Sequence, residues 1–259
     1  MATVNLPPIV VETLTLTKSA SISAEEISRV ATAVDRAVTE ANRAIDTALE
    51  RVHEAEQRQL LVNSHNEECE RLSSWRRPAG WMSHHSGTTA YRGYTKIGPD
   101  GRSHPHGEGQ SRHPNVTYRC ANFDLGAVRG LCVEGWADGS AMSGYLDDVE
   151  GFGDLRRNDC QTGCTYVGHW KRVGEWTSLQ LGAIEYPDGS IYRGQCGRVE
   201  ELQRVWPDGY GSWELAKHAV VVRCGFERGF AQGAAVIQVN GHSFGGHFDS
   251  GRLTGVVPA

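Results

Sequence analysis

The sequence has no glycine before Gly80, few lysines and no long apolar run, and each shortage excludes a class of protein. A helix that crosses a membrane needs about 20 mostly apolar residues, whereas the longest apolar runs, 9–11 and 219–222, have only the length of a strand. The N-terminus lacks the basic start and apolar core of a signal peptide. We therefore expect a cytoplasmic protein without a transmembrane segment, a setting that also fits a virion or cytoskeletal assembly.

The shortage of positive charge limits the partners. The chain has 26 Lys and Arg against 31 Asp and Glu, a net charge of −5 at pH 7. A dedicated nucleic-acid binder normally carries a basic surface, so no nucleic-acid partner is expected. Only Lys96, Lys171 and Lys217 are lysines of the region after residue 90. Contact with membrane lipids is therefore weakly supported.

The seven cysteines are an odd number without an export signal, which predicts free and mostly buried thiols. Cys160 and Cys164 are spaced like the start of a metal site, but no second pair follows at ligand spacing. His104, His106 and His113 form a loose cluster that fits either a polar surface loop or zinc, which needs four well-placed ligands. We predict the polar loop, and neither a metal nor a cofactor.

No serine or cysteine lies beside a recognisable base that would activate it as a nucleophile. The glycine pairs at 107–109 and 151–153 lack the full spacing and the following helix of a phosphate-binding loop. The sequence therefore predicts a protein that is not an enzyme.

Glycine divides the chain sharply, because all but Gly80 and Gly87 of the 31 glycines lie from Gly93 onward. A segment without glycine and a glycine-rich segment require different backbones. We therefore assign residues 1–20 to a strand-like arm, 21–75 to a long helix, 76–90 to a linker and 91–259 to a β domain. The arm alternates apolar and polar residues and would have to pair with the β domain or with another subunit.

The helix begins with a capping box, in which Ser23 and Glu26 satisfy backbone N–H groups of the first turn. Its apolar residues then recur by four and three through five heptads. This stripe consists of Ile27, Ala31, Val34, Val38, Ala41, Ile45, Ala48, Val52 and Ala55. Pro78 and Gly80 end the helical pattern.

Two interpretations of the stripe compete. The helix could lie along the chain's own β domain, or it could form an intermolecular coiled coil. A helix near 50 residues is about 75 Å long by its rise per residue, which exceeds what we expect the β domain to cover. The coiled coil is therefore the favoured prediction. Its oligomerisation or docking residues would be Val38, Ala41, Ile45, Ala48 and Val52.

An aromatic residue followed two positions later by glycine recurs in the β domain, with successive copies separated by 22 to 30 residues. A period in this range indicates stacked supersecondary units. The clear copies begin at Tyr91, Tyr166, Tyr192 and Phe244, and weaker copies, which lack the aromatic or the glycine, begin at Tyr118, Met142 and Val222. The residues that define the repeat are Tyr91, Gly93, Tyr166, Gly168, Tyr192, Gly194, Phe244, Gly246, Phe248, Gly251 and Gly255.

The spacing within a unit predicts a β-hairpin. In the last copy, Phe244, Gly246 and Phe248 alternate on one face of a strand, Gly251 fits a tight turn, and Gly255 lies on the returning strand beneath a large ring. Each unit would thus be a hairpin in which an aromatic of one unit covers a glycine of the next. In particular, Gly194 and Gly246 should each lie beneath an aromatic ring.

Residues 91–259 resemble the membrane-occupation-and-recognition-nexus (MORN) repeat, on the units at 222–255 and on the junction Tyr186-Pro187-Asp188-Gly189 before Tyr192. The resemblance implies a mainly β fold, an elongated single-layer array of antiparallel hairpins behind the long N-terminal helix. It does not imply one activity, because the family includes scaffolds, junction proteins and enzyme appendages. The copies between 118 and 160 are degenerate.

Two functions fit these patterns. The first is a non-enzymatic scaffold that self-assembles or docks through its helix and presents the β-repeat surface to other proteins, as in a lattice, filament or virion layer. The second is a binding adaptor that recruits a partner protein or a membrane lipid through the sheet. The recurring rings are interpreted as core, whereas surface aromatics could bind a helix or peptide.

Overall fold

The computed structural model describes residues 23–173, 176–199 and 204–258. The predicted arm at 1–20 lies outside these residues. One helix, α1 (Ala24–Arg71), precedes fifteen strands. The strands are β1 (Trp81–Ser86), β2 (Thr89–Ile97), β3 (Ser103–His113), β4 (Val116–Asp124), β5 (Ala127–Trp136), β6 (Ala141–Asp147), β7 (Phe152–Asn158), β8 (Thr165–Val173), β9 (Trp176–Glu185), β10 (Ile191–Val199), β11 (Arg204–Leu215), β12 (Val220–Glu227), β13 (Phe230–Val239), β14 (His242–Asp249) and β15 (Arg252–Pro258).

The strands are antiparallel and follow one another in a single sheet in the order of the chain, from β1 to β15. This confirms the predicted mainly β fold of consecutive hairpins behind one long helix. The chain divides into two compact units. The first contains α1 up to Ile45 together with Ser178–Ala259, and the second contains Asp46–Thr177.

The start of α1 follows the predicted capping box in part. The Glu26 N–H donates to the Ser23 Oγ at 3.1 Å, which satisfies one of the backbone donors that a first helical turn leaves free. The helix ends at Arg71. The predicted bounds of 21–75 therefore extend past the last helical residue by four positions.

The sheet begins at Trp81, inside the segment predicted to be a linker at 76–90. Trp81 is buried, and its indole N–H donates to the Asn66 Oδ1 at 2.8 Å. Ser86 pairs with Thr89, so a two-residue loop joins β1 to β2, and Gly87 adopts a positive φ of 57° there. The prediction of a linker over residues 81–86 was wrong, because the polar histidines and serines of this segment do not resemble a strand and the burial of Trp81 holds it in the sheet.

Gly229 and Gly251 follow the repeat starts Val222 and Phe244 by seven residues, and each lies in a tight turn, as predicted. Ser250 and Gly251, between β14 and β15, have φ values of 50° and 82°. Arg228 and Gly229, between β12 and β13, have φ values of 50° and 87°. Two successive positive values are the signature of a type I′ turn, whose twist matches that of antiparallel strands.

The tyrosine of the repeat closes a β-bulge through its hydroxyl. The Tyr192 hydroxyl donates to the Gln195 carbonyl oxygen at 2.6 Å, and the Tyr91 hydroxyl donates to that of Tyr94 at 2.5 Å. In both copies the strand register shifts immediately after the glycine of the motif. Burial raises the pKa of Tyr91 and of Tyr192, so both hydroxyls keep the proton that they donate.

Each of these rings also covers a glycine on the neighbouring strand. A Cβ at Gly211 would meet carbons of the Tyr192 ring at 2.5 Å, closer than real contacts allow. The rings of Tyr91 and Tyr118 occupy the same place over Gly109 and Gly135. The covered glycines therefore lie 17 to 19 residues after the tyrosine, a spacing that the sequence contains and that our prediction missed.

Gly194 and Gly246 differ in what lies next to them. A Cβ at Gly194 would meet the Gly211 Cα at 2.5 Å and the Tyr192 hydroxyl at 2.8 Å. Gly246 lies beneath the aliphatic side chains of Ile237 and Leu253. The aromatic ring predicted over Gly246 is therefore wrong, because Ile237 on β13 reaches that position across the strand pair.

The prediction for Gly255 is also wrong, since a Cβ there would have no neighbour within 4 Å.

In each unit, recurring rings pack on one another. In the first unit Tyr192 makes an edge contact with Phe226 at 5.1 Å between ring centroids, and in the second unit Tyr166 does so with Trp170 at 6.2 Å. All four side chains are buried. These rings supply core packing.

Replacing Gly211 with Ala tests the packing of a ring over a glycine. The new methyl group would overlap the Tyr192 ring, and the overpacking should lower the free energy of unfolding by about 1–3 kcal/mol. Gly255→Ala is the matched control on a strand, because its methyl group meets open space and should leave stability within about 0.5 kcal/mol. Thermal and urea unfolding measure both, and equal stabilities for the two variants would contradict the packing described.

Candidate functional site

The apolar stripe of α1 is buried within the single chain. Ala41 and Ala48 are fully buried, Val52 is 6% exposed, and Val38 and Ile45 are half-buried. The stripe continues to the end of the helix through Ala55, Val62 and Cys69. The residues predicted to form an intermolecular coiled coil thus pack inside the protomer, and the alternative interpretation, a helix along the chain's own β domain, describes them.

The reason for the difference is the size of the sheet beneath the helix. In the second unit, the part of α1 from Asp46 to Arg71 has 26 residues and rises about 39 Å. Strands β1 to β8 are spaced about 4.8 Å apart and together extend about 34 Å. The width of this unit's sheet, measured across its strands, is therefore close to the length of the helix segment. The sheet is wider than expected because its first strand begins at Trp81, before the predicted start at residue 91, and because the unit contains eight strands.

Polar contacts hold α1 to the sheet of each unit. In the second unit Arg58 pairs with Glu108 at 2.7 Å, and the buried Asn66 accepts the Trp81 indole hydrogen bond. Further contacts of this unit join Asn63 to Gln110, Glu70 to Arg92, His65 to Tyr94 and Arg51 to the ring of Tyr145. In the first unit Asp35 pairs with Arg223.

The helix covers the face of the sheet opposite the core rings. Arg92, Gln110 and Cys120 lie side by side across β2, β3 and β4, and Glu108 and Tyr145 share their face. The neighbours Tyr91, Ser111 and Arg119 lie side by side on the other face.

A groove of about 900 Å³ opens beside the helix in the second unit. Gln59 and Asn63 of α1 line one side. The other lining residues come from β1 to β5 and their connections: His85, Gly87, Thr88, Ala90, Tyr91, Arg92, Gln110, Ser111, Arg112, His113, Pro114, Thr117, Tyr118, Arg119, Cys120 and Ala137. We name this the basic groove, because the described residues that line it include three arginines and two histidines but no aspartate or glutamate.

The three arginines of the basic groove differ in their partners. Arg119 makes two hydrogen bonds of 2.8 and 2.9 Å to the carboxylate of the buried Glu134, which neutralises its charge. Arg92 is held loosely by Glu70 at 3.4 Å. Arg112 is exposed and makes no ion pair within the described part of the chain. Arg112 is therefore the cation that the groove leaves open to a ligand.

Most of the remaining lining residues are polar or aromatic, and the others are small: Gly87, Ala90, Pro114, Cys120 and Ala137. Gln59, Asn63 and Gln110 contribute amide groups, which can donate and accept hydrogen bonds. Tyr118 is 43% exposed, and its ring lies against Gly135. Such a surface suits a polar, extended ligand better than an apolar small molecule, whose sites are lined mainly by apolar side chains.

Sequence reasoning did not find this groove because its walls come from a helix and from strands up to 80 residues apart. A local signal nevertheless exists in the hairpin Arg112-His113-Pro114 to Tyr118-Arg119. Its basic and aromatic residues stand out in a chain with a net charge of −5.

The candidate metal ligands lie apart. His104 is hydrogen-bonded to Asp100 at 2.8 Å, His106 lies 3.5 Å from Asp124, and His113 lines the basic groove. Cys160 is exposed and Cys164 buried. Within residues 23–173, 176–199 and 204–258, no three His, Cys, Asp or Glu side chains group as metal ligands would.

Six of the seven cysteine side chains are buried, as predicted. Burial raises the pKa of Cys120, Cys132 and Cys224 to about 12. These three thiols therefore stay protonated near neutral pH, and a protonated thiol is a poor nucleophile.

Comparison with protein-family models and with curated proteins gives no match to this chain. Among the residues that the structure describes, no helix has a stretch both long and apolar enough to cross a membrane.

The seating of α1 can be tested with two substitutions on the helix. Val52→Asp would place an unpaired carboxylate at a buried position and should lower the free energy of unfolding by roughly 3 kcal/mol or more. Leu61→Asp is the matched control, because Leu61 is 62% exposed and the change should cost less than about 0.5 kcal/mol. The measurement is urea unfolding of the dilute protein. Unchanged stability in Val52→Asp would show that the stripe does not pack within the chain.

Proposed function

We propose that the chain is a non-enzymatic scaffold whose MORN-like β-repeat sheet presents a binding surface for another protein. The observation that carries the proposal is a contrast between two surfaces. The apolar stripe of α1 is buried by packing within the chain, while the basic groove beside α1 is open to solvent. The helix then braces the sheet, and the groove is the place where a partner binds.

Four features support a binding role over catalysis. The recurring tyrosines are buried in packing and bulge closure, and the three thiols with raised pKa are poor nucleophiles. The side chains that line the groove are suited to hydrogen bonds and ion pairs with an extended ligand. Repetition of one hairpin also builds a broad surface from a short unit, which is how repeat proteins generate binding sites.

A photo-crosslinking experiment tests the proposed function. A benzoylphenylalanine replaces Thr117, which is exposed and lines the groove, and in a second variant it replaces Thr254, which is exposed on β15. In cells that make the protein, we expect irradiation to join a discrete partner at Thr117 and not at Thr254, as seen on denaturing gels. Equal crosslinking at both positions, or none at Thr117, would contradict the proposal.

A second candidate function is self-assembly or docking through the outer side of α1. Leu49, Leu60 and Leu61 are 43%, 64% and 62% exposed. Leu49 and Leu60 are eleven residues apart, which places them within about 20° of each other around the helix axis. Large apolar side chains aligned on an exposed helix favour association with another helix.

The double variant Leu60→Glu/Leu61→Glu tests this candidate. We expect it to lower the molar mass measured by light scattering while the unfolding midpoint stays unchanged, because both side chains are exposed. Glu56→Gln, a change on the same exposed side of α1 that removes no apolar surface, is the control. A wild-type protein that is monomeric at all concentrations, or a double variant with the wild-type mass, would exclude association through this face.

A further inference from the structure

We propose that the basic groove binds an extended acidic peptide segment of a partner protein, with a carboxylate placed on Arg112. This inference rests on the proposed function, and it names the chemistry of the partner. Its first support is the balance of charge described above. Glu134 neutralises Arg119, and both lie on the face of the sheet opposite α1. Glu70 only partly neutralises Arg92, and Arg112 has no ion pair among the described residues.

The position of Arg112 makes it available to a ligand. It lies near the end of β3, where the strand register shifts before His113 pairs with Val116. The residue at such a register shift is left unpaired with the neighbouring strand, and its side chain often departs from the regular alternation between the two faces. Arg112 is exposed at the mouth of the groove, where its guanidinium can bind a carboxylate through two parallel hydrogen bonds.

The size and polarity of the groove favour a peptide. Its volume of about 900 Å³ is near the upper end of sites for small molecules, which run from about 300 to 1,000 Å³. Its lining is more polar than the mainly apolar walls of such sites, and the amide of Gln59 has no hydrogen-bond partner within the described residues. An extended main chain needs amide donors and acceptors, and the amide of Gln59 supplies both, whereas the amides of Asn63 and Gln110 are hydrogen-bonded to each other.

A membrane surface fits this arrangement less well. Lipid recognition by charge normally uses several lysines or arginines that protrude together toward an anionic surface. Here Arg92 and Arg112 lie in a groove bounded by Gln59 and Asn63 of α1, Arg119 is paired with Glu134, and no lysine lines the groove. A chain that enters the groove can reach Arg112 and Arg92 together.

The test uses the full-length chain and a fluorescein-labelled hexaglutamate peptide, with hexaglutamine as the uncharged control. Fluorescence anisotropy should show binding of hexaglutamate only, and the affinity should fall as NaCl is raised from about 50 to 500 mM, since salt screens exposed charges. Arg112→Glu should weaken binding by at least about tenfold. Arg102→Glu is the control, because Arg102 is exposed in the turn between β2 and β3 and lies outside the groove lining.

Circular dichroism of both variants shows whether each is folded, and hexaglutamate binding to a folded Arg112→Glu protein with the wild-type affinity would overturn the proposal. So would a wild-type protein that binds no hexaglutamate. Sedimentation with phosphatidylcholine vesicles that contain phosphatidylserine tests the other negatively charged ligand, an anionic membrane surface. If the wild-type protein binds these vesicles but not hexaglutamate, and Arg112→Glu abolishes the vesicle binding, the groove binds membranes and the peptide proposal is overturned.

The two proposals fail separately. A discrete partner crosslinked at Thr117, together with no binding of hexaglutamate, would leave the scaffold function in place and reject only the acidic specificity. Binding of hexaglutamate that depends on Arg112, without any crosslinked partner, would support the groove's specificity and count against the scaffold function.

Discussion

The burial of the apolar stripe of α1 against the sheet sets what the remaining surfaces can do. A sheet of hairpins has two faces, and in the unit that contains β1 to β8 the core rings of Tyr166 and Trp170 pack on one face while α1 covers the other. Each apolar side chain of the stripe contributes roughly 1.5–3 kcal/mol when it is fully removed from water, although the alanines contribute less. Because four of the nine residues of the stripe are alanine, the helix backbone can approach the sheet closely. What stays open beside it is polar, and this is why the candidate site is a groove of charges and amides.

A second constraint acts within the sheet, where a tyrosine ring must lie directly on a neighbouring strand. Only a residue without a Cβ allows this approach, and Gly211 beneath Tyr192 shows the geometry. The same tyrosine donates its hydroxyl to the carbonyl oxygen three residues later and so fixes the bulge that follows its own glycine. One side chain therefore determines both the packing between strands and the local register. These two roles of the tyrosine explain why an aromatic residue followed two positions later by glycine recurs in the sequence.

Most of the fold could be predicted from local patterns, because turns and helix caps depend on neighbouring residues. Ser23 and Glu26 marked the helix start, and Gly229 and Gly251 marked hairpin turns. Contacts between residues on neighbouring strands were harder to predict from the sequence. For example, the pattern around Gly246 does not show that the side chain of Ile237 covers this glycine. The heptad stripe showed that α1 has one apolar side but not which surface it packs against. The basic groove was missed because Gln59 and Arg112 meet only after folding.

The proposed binding role of the groove requires that α1 is packed within the chain rather than against other molecules. Hydrogen exchange of the α1 amides, followed by mass spectrometry across a range of protein concentrations down to nanomolar, measures this seating. Our account predicts that the amides from Ala41 to Val62 exchange slowly and at the same rate at every concentration, since packing within the chain does not depend on other molecules. Fast exchange in the dilute protein, with protection that grows as the concentration rises, would show instead that the helix is stabilised by other chains.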